Sequence, residues 1–195
     1  MSFVKRRWVS AFAGTTTSRV ALPRTLVGLS KRMNRREVLG ILAGAIGAAT
    51  GGAVFAAALG DRVNWRDVTL LDGRTLPASA LAGRVVVVEI WASWCPFCAK
   101  QNPLLQQLHD AHGGRGLEFL TFSIDRESAP ARAYMAKHQY TFPAAMATPQ
   151  SDKWFGPREG LPELYVVDRD GRIVFREAKE MFPEDVQALA RFARR

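Results

Sequence analysis

Cysteine is scarce in this sequence: the 195 residues contain two, Cys95 and Cys98, with two residues between them. A fold held together by disulfides needs several cysteines at wide spacing, so a disulfide-rich scaffold is excluded. Histidine is almost as rare, with three in the chain, and there is no second cysteine pair. Since a structural zinc site usually combines two such pairs, or one pair with suitably spaced histidines, zinc binding is disfavoured and no metal ligand is expected.

Acidic residues are missing from the start of the chain, where the first is Glu37. Residues 1–60 hold nine basic residues and this one acid, whereas residues 61–195 hold 18 basic and 17 acidic residues. The formal net charge of +9 therefore belongs mostly to the first sixty residues. Because the remainder is close to neutral, a basic face that would bind nucleic acid is not indicated.

Charge is also absent from residues 40–60, which are rich in alanine and glycine and follow the adjacent pair Arg35 and Arg36. A basic segment, an uncharged run and small residues such as those at 56–58 are the three parts of an export signal. Adjacent arginines before the run are typical of the twin-arginine class. We expect residues 1–60 to be an export signal and the protein to act in the periplasm or elsewhere outside the cytoplasm.

An uncleaved anchor in the inner membrane is the alternative for residues 40–60, because roughly 20 residues can span a bilayer. The many glycines and alanines make this a weak span. Residues 1–32 are basic and rich in serine and threonine, and Met33 begins a segment that would by itself be a conventional signal. We therefore expect residues 1–32 to be untranslated. An organellar transit peptide, which has a similar composition, is the rival interpretation.

Residues 61–195 alternate strand-like and helix-like segments, with no internal repeat. The run from Val85 to Trp91 is dominated by β-branched residues, which is typical of a strand buried on both faces. Turn signals predict hairpins at Asp72–Gly73 and at residues 168–171. Further helices or strands are predicted at residues 78–81, 96–112, 117–124, 128–139, 144–147, 152–155 and 183–194. This order predicts an α/β fold with a mixed sheet.

Cys95 and Cys98 lie between the predicted buried strand and the helix that Pro96 begins. The first turn of a helix offers unpaired N–H groups and the positive end of its dipole, so a thiolate on Cys95 would be stabilised there. Thiolates attack disulfides, and Cys98, one helical turn later, could then close a bond with Cys95. A purely structural disulfide with so short a loop would stabilise little. We expect a redox-active Cys95–Cys98 pair and no other cofactor.

The segment VEIWASWCPFC, from Val88 to Cys98, resembles the active-site segment of thioredoxin-like proteins, above all of their exported TlpA-like branch. That branch includes disulfide reductases of cytochrome c maturation and of copper-centre assembly. The resemblance covers residues 61–195 and implies a thioredoxin-fold domain with an N-terminal β-hairpin extension. A second match, GLPELYVVD from residue 160, implies that Pro162 is the family's cis-proline and that Leu161 presents backbone groups to the partner. An ordinary proline at a strand entry is the alternative.

Glu89 lies six residues before Cys95, at the position where thioredoxins have a buried acid. A carboxylate in the middle of a buried strand needs a reason, and burial would raise its pKa towards neutrality. We expect Glu89 to take and return the proton of Cys98. The alternative is an acid that faces solvent or pairs with an arginine.

The side chains around the cysteines differ from those of ordinary thioredoxin. Pro96 and Phe97 replace its glycine–proline dipeptide, and residues at these positions modulate the reduction potential. Trp94 is expected to pack beside the site, either as a contact for the partner or as part of the core.

The resemblance favours an exported reductase that keeps cysteines of client proteins reduced, such as those of apocytochrome c or a copper-binding protein. Such a reductase would draw electrons from a thiol carrier in the membrane. A disulfide-introducing oxidase is the first alternative, and a non-catalytic binding module with the thioredoxin fold is the second. The intact Cys95, Cys98, Glu89 and Pro162 argue against the binding module. A peroxidase is disfavoured because its Pro-x-x-x-Thr-x-x-Cys pattern is missing.

The start of translation at Met33 can be tested directly. If residues 1–32 are not translated, the unprocessed precursor begins at Met33 when its N-terminus is sequenced. A precursor that yields a peptide covering residues 8–19 contradicts this expectation.

Overall fold

A computed structural model describes residues 57–194 of the chain. The predicted export signal or anchor falls almost entirely on residues 1–56, which lie outside the described residues. No helix within residues 57–194 is both long and apolar enough to cross a membrane.

Strands and helices alternate along the described part of the chain. The strands are β1 (Val68–Thr69), β2 (Thr75–Leu76), β3 (Val86–Trp91), β4 (Glu118–Ser123), β5 (Ala144–Met146), β6 (Glu163–Val167) and β7 (Ile173–Glu177). The helices are α1 (Ala78–Leu81), α2 (Pro96–His112), α3 (Ser128–His138), α4 (Pro149–Phe155) and α5 (Pro183–Ala188), followed by a 3₁₀-helix (Leu189–Arg194). This order agrees with the one predicted from the sequence.

Five strands form the central sheet in the order β5-β4-β3-β6-β7. Strand β3 runs parallel to β4, and β4 runs parallel to β5, as expected where helices connect the strands. Strand β6 is antiparallel to both β3 and β7. The result is the mixed sheet of a thioredoxin fold, with β3 at its centre.

Strands β1 and β2 form the predicted hairpin ahead of the sheet. Gly73 adopts a φ of +88° in its turn, a conformation that glycine enters without a steric penalty. After β1, Leu71 donates its backbone N–H to the Ala144 carbonyl at 2.7 Å. Since β5 is an edge strand, this contact pairs part of an edge that would otherwise expose unpaired backbone groups.

The central strand β3 divides the core into two sides, because successive side chains of a strand point to opposite faces. On one face, Val86, Val88 and Ile90 pack in a cluster that includes Phe122 and Phe155. Val87 belongs to the opposite cluster, which contains apolar residues of helix α2. Glu89 shares this second face by its position in the strand, so the fold places an acid under the helix that carries Cys98.

The C-terminal helix differs from the prediction of one continuous helix over residues 183–194. The α-helix ends at Ala188, and a 3₁₀-helix follows. The buried residues Val186, Leu189 and Phe192 are spaced by three, and side chains three apart align on a 3₁₀-helix. The tighter helix therefore keeps this apolar row against the core.

Helix α4 begins at Pro149, three residues before the predicted start. Thr148 caps it, because its hydroxyl accepts a hydrogen bond from the Ser151 backbone N–H, and the Ser151 hydroxyl accepts one from the Thr148 backbone N–H. Such a reciprocal cap satisfies two N–H groups that the first turn leaves unpaired.

Replacing Phe155 by alanine should lower the free energy of unfolding by about 3–5 kcal/mol, since the ring is fully buried and its centroid lies 4.7 Å from that of Tyr165. Urea denaturation measures the change. Phe182→Ala is the matched control, because that ring is 71% exposed and its removal should cost less than about 0.5 kcal/mol. Equal losses in both variants would contradict this account of the core.

Candidate active site

Cys95 is the residue that caps the N-terminus of helix α2. Its Sγ accepts a hydrogen bond from the Cys98 backbone N–H at 3.2 Å, so the first turn of the helix contacts the sulfur. Pro96 follows as the first helical residue, where its missing N–H costs nothing. Both cysteines are free thiols; Cys95 is 4% exposed and Cys98 is fully buried. Of the two sulfurs, that of Cys95 is therefore the one nearer to an incoming partner.

The thiol of Cys98 is enclosed by protein. Burial raises its pKa well above the usual range, and the contact with Cys95 and the nearby charge of Glu89 raise it further. Cys98 therefore stays protonated near neutral pH and needs a base before it can act as a nucleophile.

Glu89 is a carboxyl group close to Cys98, since its charge raises the pKa of that thiol. Its side chain is fully buried, and Gln101 Nε2 donates to Glu89 Oε1 at 2.8 Å. Burial raises the pKa of Glu89 to about 8, while the hydrogen bond from Gln101 opposes the shift. The carboxylate does not face solvent, and within residues 57–194 it pairs with no arginine, so the alternatives to a buried acid are wrong.

A second amide, that of Asn102, contacts the other oxygen of the acid. Its side chain has acceptors on one side, so its nitrogen belongs there, 2.9 Å from Glu89 Oε2 and 3.2 Å from the Cys98 carbonyl oxygen. Gln101 and Asn102 are both fully buried. The sequence analysis missed both amides, although they follow Cys98 at the i+3 and i+4 positions of one helix face, which is the signal that could have identified them.

Asp125 holds the turn before the cysteines and was also missed. Its carboxylate accepts hydrogen bonds from the Ser93 backbone N–H (3.0 Å), the Ser93 hydroxyl (2.8 Å) and the Ser123 hydroxyl (2.6 Å). The turn that leads into Cys95 is thereby fixed to the end of strand β4. Nothing in the local sequence links Asp125 to residues that lie thirty positions earlier.

Pro162 lies at the start of β6, and the Leu161–Pro162 peptide bond is cis, as the sequence resemblance implied. Strand β6 pairs with β3 so that Glu163 stands opposite Ile90. Pro162 therefore lies beside the end of β3 that leads into the cysteines. Leu161 is half-buried and packs against the apolar cluster that contains Cys95 and Cys98.

Trp94 and Phe97 lie on the surface on either side of Cys95. Trp94 is 66% exposed and Phe97 is 51% exposed, so Trp94 is not part of the core. Lys100 Nζ lies 5.3 Å from the centroid of the Phe97 ring and 3.3 Å from Glu180 Oε2. Exposed aromatic rings beside a thiol offer apolar contact area to a partner polypeptide.

The site thus combines a thiol with slight exposure, a fully buried thiol and a buried acid. Within residues 57–194, no group of three or more histidine, cysteine, aspartate or glutamate side chains is arranged to hold a metal ion. The arrangement is suited to a two-step exchange in which one sulfur attacks a partner and the second sulfur displaces it.

Comparison with known proteins agrees with this geometry. The Redoxin family model matches residues 58–191. A thiol-disulfide oxidoreductase ResA of Bacillus cereus is 25% identical over 122 residues, which are 62% of this chain and 69% of that protein. The thiol:disulfide interchange protein DsbE of Allochromatium vinosum is 30% identical over 120 residues, which are 60% of this chain and 62% of that protein.

A solved structure shows the same fold. The crystal structure of a thiol:disulfide interchange protein from Chlorobium tepidum TLS has a TM-score of 0.63 at 22% identity and covers 71% of this chain and 99% of its own. The thioredoxin fold and the resemblance to TlpA-like proteins that the sequence predicted are confirmed by these matches.

Burial of Glu89 should make the protein less stable as pH rises. The pKa of Glu89 is about 8 in the folded protein and about 4.3 in an unfolded chain. Its contribution to stability is therefore complete below about pH 4.3 and is lost as pH rises through 8, at up to about 1.4 kcal/mol per pH unit. Urea denaturation between pH 5 and pH 9 measures this slope.

Glu89→Gln is the control for that measurement, because glutamine keeps the shape and does not titrate. The difference in stability between the variant and the original protein should shift in favour of the variant by several kcal/mol between pH 5 and pH 9. Parallel stability curves for the two proteins would show that Glu89 does not titrate in this range.

Proposed function

The chain belongs to the Redoxin family and is a thiol–disulfide oxidoreductase, and on this premise we propose that it reduces disulfides in exported client proteins. The observation that carries this proposal is the asymmetry of the pair: Cys95 caps a helix near the surface, whereas Cys98 is fully buried beside a buried acid. Each cysteine is thereby suited to one step of the exchange.

In the first step, the Cys95 thiolate attacks a client disulfide and forms a mixed disulfide while one client thiolate leaves. In the second step, Glu89 takes the proton of Cys98, and the new thiolate attacks Cys95 Sγ. The Cys95–Cys98 bond forms, the mixed disulfide breaks, and the second client thiolate leaves. The client gains two electrons, and the dithiol of the enzyme loses them.

The resemblance to the TlpA-like branch, which includes disulfide reductases, supports reduction as the direction. The uncharged Pro96 and Phe97 between the cysteines are compatible with either direction of electron flow.

The client surface follows from the side chains around Cys95. Trp94 and Phe97 provide exposed rings, and Leu161 before the cis-proline lies at the edge of the same site. This surface fits an extended polypeptide that presents a cysteine, such as apocytochrome c or a copper-binding protein. A thiol carrier in the membrane would return the electrons.

The place of action follows from the leader of residues 1–60. Its paired arginines and uncharged run support export to the periplasm. The protein would be soluble after cleavage or anchored to the inner membrane by residues 40–60.

The reduction potential of the Cys95–Cys98 pair tests the direction of electron flow. Equilibration of the full chain with glutathione and dithiothreitol buffers should give a value near or below that of thioredoxin, about −270 mV. Cys98→Ser is the control, since it should abolish the two-electron transition. A value near that of DsbA, about −120 mV, would instead make the protein an oxidant of its clients.

A further inference from the structure

The two amides around Glu89 donate hydrogen bonds to its ionised form, but as donors they cannot accept the O–H of its protonated form. As a carboxylate, Glu89 accepts from Gln101 Nε2 at 2.8 Å and from Asn102 Nδ2 at 2.9 Å. Once protonated, the acid carries an O–H that needs an acceptor, because an unpaired donor in a buried site is costly. An amide that presents its nitrogen cannot accept that proton.

Gln101 is held in one orientation. Its Oε1 accepts a hydrogen bond from the Met181 backbone N–H at 2.8 Å while its Nε2 donates to Glu89. Turning this amide over would break both hydrogen bonds and place two donors face to face. Gln101 therefore stays a donor to Glu89 in both protonation states of the acid.

Asn102 is not held in this way. The torsion that turns a terminal amide is soft and nearly two-fold, so its oxygen and nitrogen can exchange places. The Tyr134 hydroxyl is buried and makes no hydrogen bond of ordinary geometry among the described residues. Burial raises the pKa of Tyr134, and the Asn102 amide and the Tyr140 hydroxyl oppose that shift, so the Tyr134 hydroxyl lies close to both side chains.

We propose that Asn102 is a positioning residue that turns its amide over when Glu89 gains a proton. With Glu89 ionised, Asn102 Nδ2 donates to Glu89 Oε2 and to the Cys98 carbonyl. With Glu89 protonated, Asn102 Oδ1 accepts the O–H of the acid, and Nδ2 donates to the Tyr134 hydroxyl instead. The turn gives the acid O–H an acceptor and the Tyr134 hydroxyl a donor, and it gives up the hydrogen bond from Nδ2 to the Cys98 carbonyl, which Oδ1 then faces.

This inference rests on the proposed function, in which Glu89 takes the proton of Cys98. The proton leaves Cys98 Sγ and binds Glu89, and the turned amide then holds it by accepting a hydrogen bond from the acid. The proton is thereby kept from returning while the Cys98 thiolate attacks Cys95 and the client thiolate leaves. Asn102 stabilises the short-lived state in which resolution occurs.

Other titratable groups also face Glu89. Cys98 lies on the same helix as Asn102, and Tyr134 and Tyr140 approach from helix α3 and the segment after it, each with an electrostatic effect from Glu89. Burial raises the pKa of both tyrosines and of Cys98, so all three are neutral near pH 7. Cys95 and His138 are one side chain further away, since they contact Cys98 and Tyr134. Glu89 is the titrating group that contacts Asn102 directly, and its charge changes around pH 8.

Nuclear magnetic resonance of the reduced full chain tests the turn without a substitution. The nuclear Overhauser effect from the Asn102 Nδ2 protons to the Tyr134 ring should be strong at pH 6.5, where Glu89 is protonated, and weak at pH 9. In Glu89→Gln it should not depend on pH. An effect of equal strength at both pH values in the original protein would overturn the proposal.

Kinetics test the consequence for the reaction. Resolution of the mixed disulfide with glutathione should slow about tenfold in Asn102→Leu, because the new acid O–H loses its acceptor. The double variant with Glu89→Gln should be no slower than Glu89→Gln alone, since the two residues act on one proton. Cys98→Ser reports the first attack separately, and this step should keep its rate in Asn102→Leu.

Gln101→Leu is the matched control, because it removes the other donor to the same carboxylate. The pH midpoint of resolution should rise in this variant, while the pH-dependent Overhauser effect of Asn102 persists around the new midpoint. If the rate losses caused by Asn102→Leu and Glu89→Gln multiply in the double variant, the two residues act independently. That result would overturn the role of Asn102 and leave the proton transfer to Glu89 untouched. A Glu89→Gln variant that resolves at the original rate would overturn the proposed proton transfer itself.

Discussion

Glu89 brings a carboxylate into the middle of a strand that is buried along its whole length. The oxygens of this carboxylate therefore need hydrogen-bond donors from the residues around them. Every residue of β3 is buried, so the acid has no route to bulk water through its own strand. Helix α2 supplies the donors, Gln101 and Asn102, from the face that also carries Cys98. Burial and hydrogen bonding oppose each other here, and their balance places the pKa near 8, where a proton can move either way.

Hydrogen bonds through the Gln101 side chain connect Glu89 to the C-terminal part of the chain. Gln101 accepts from the Met181 backbone N–H as well as donating to Glu89, so the segment before helix α5 is part of the support of the site. A buried amide that links two elements in this way is satisfied on both sides, which is the condition for a polar group to be stable in a core. A displacement of the segment before helix α5 would therefore alter the hydrogen bond that Gln101 donates to Glu89.

Much of the fold was predictable because its signals are local. The β-branched run before the cysteines indicated strand β3, and Pro96 marked the start of helix α2. The cysteines could be found because their spacing carries the chemistry, and Glu89 because it is an acid within a predicted buried strand, at the position where the resembled thioredoxins have one. Asp125 could not, because its contact with Ser93 depends on the pairing of β3 with β4, and a side-chain contact between strands leaves no periodic trace in either segment.

The amides were missed for a different reason. Gln101 and Asn102 occupy positions that an apolar helix face would give to hydrophobic residues, so polarity at these positions was itself the signal. Its meaning depends on the strand below, because a buried amide has a purpose only where a buried charge needs a partner. Trp94 is a different case: it lies three residues after β3, next to Ser93, whose backbone N–H donates to Asp125, and it is 66% exposed although its residue type suggested packing.

The backbone of the site is fixed by hydrogen bonds, so the changes that accompany the reaction fall on the side chains. Asp125 holds the turn before Cys95 with hydrogen bonds to Ser93, and the two cysteines share the first turn of one helix. A preorganised frame of this kind keeps reacting atoms in place and leaves little for the backbone to do. The largest change during exchange is then the proton that moves onto Glu89. Because the backbone around it is fixed, only side-chain torsions remain to absorb that change, and the terminal torsion of Asn102 is the softest of those that contact the acid.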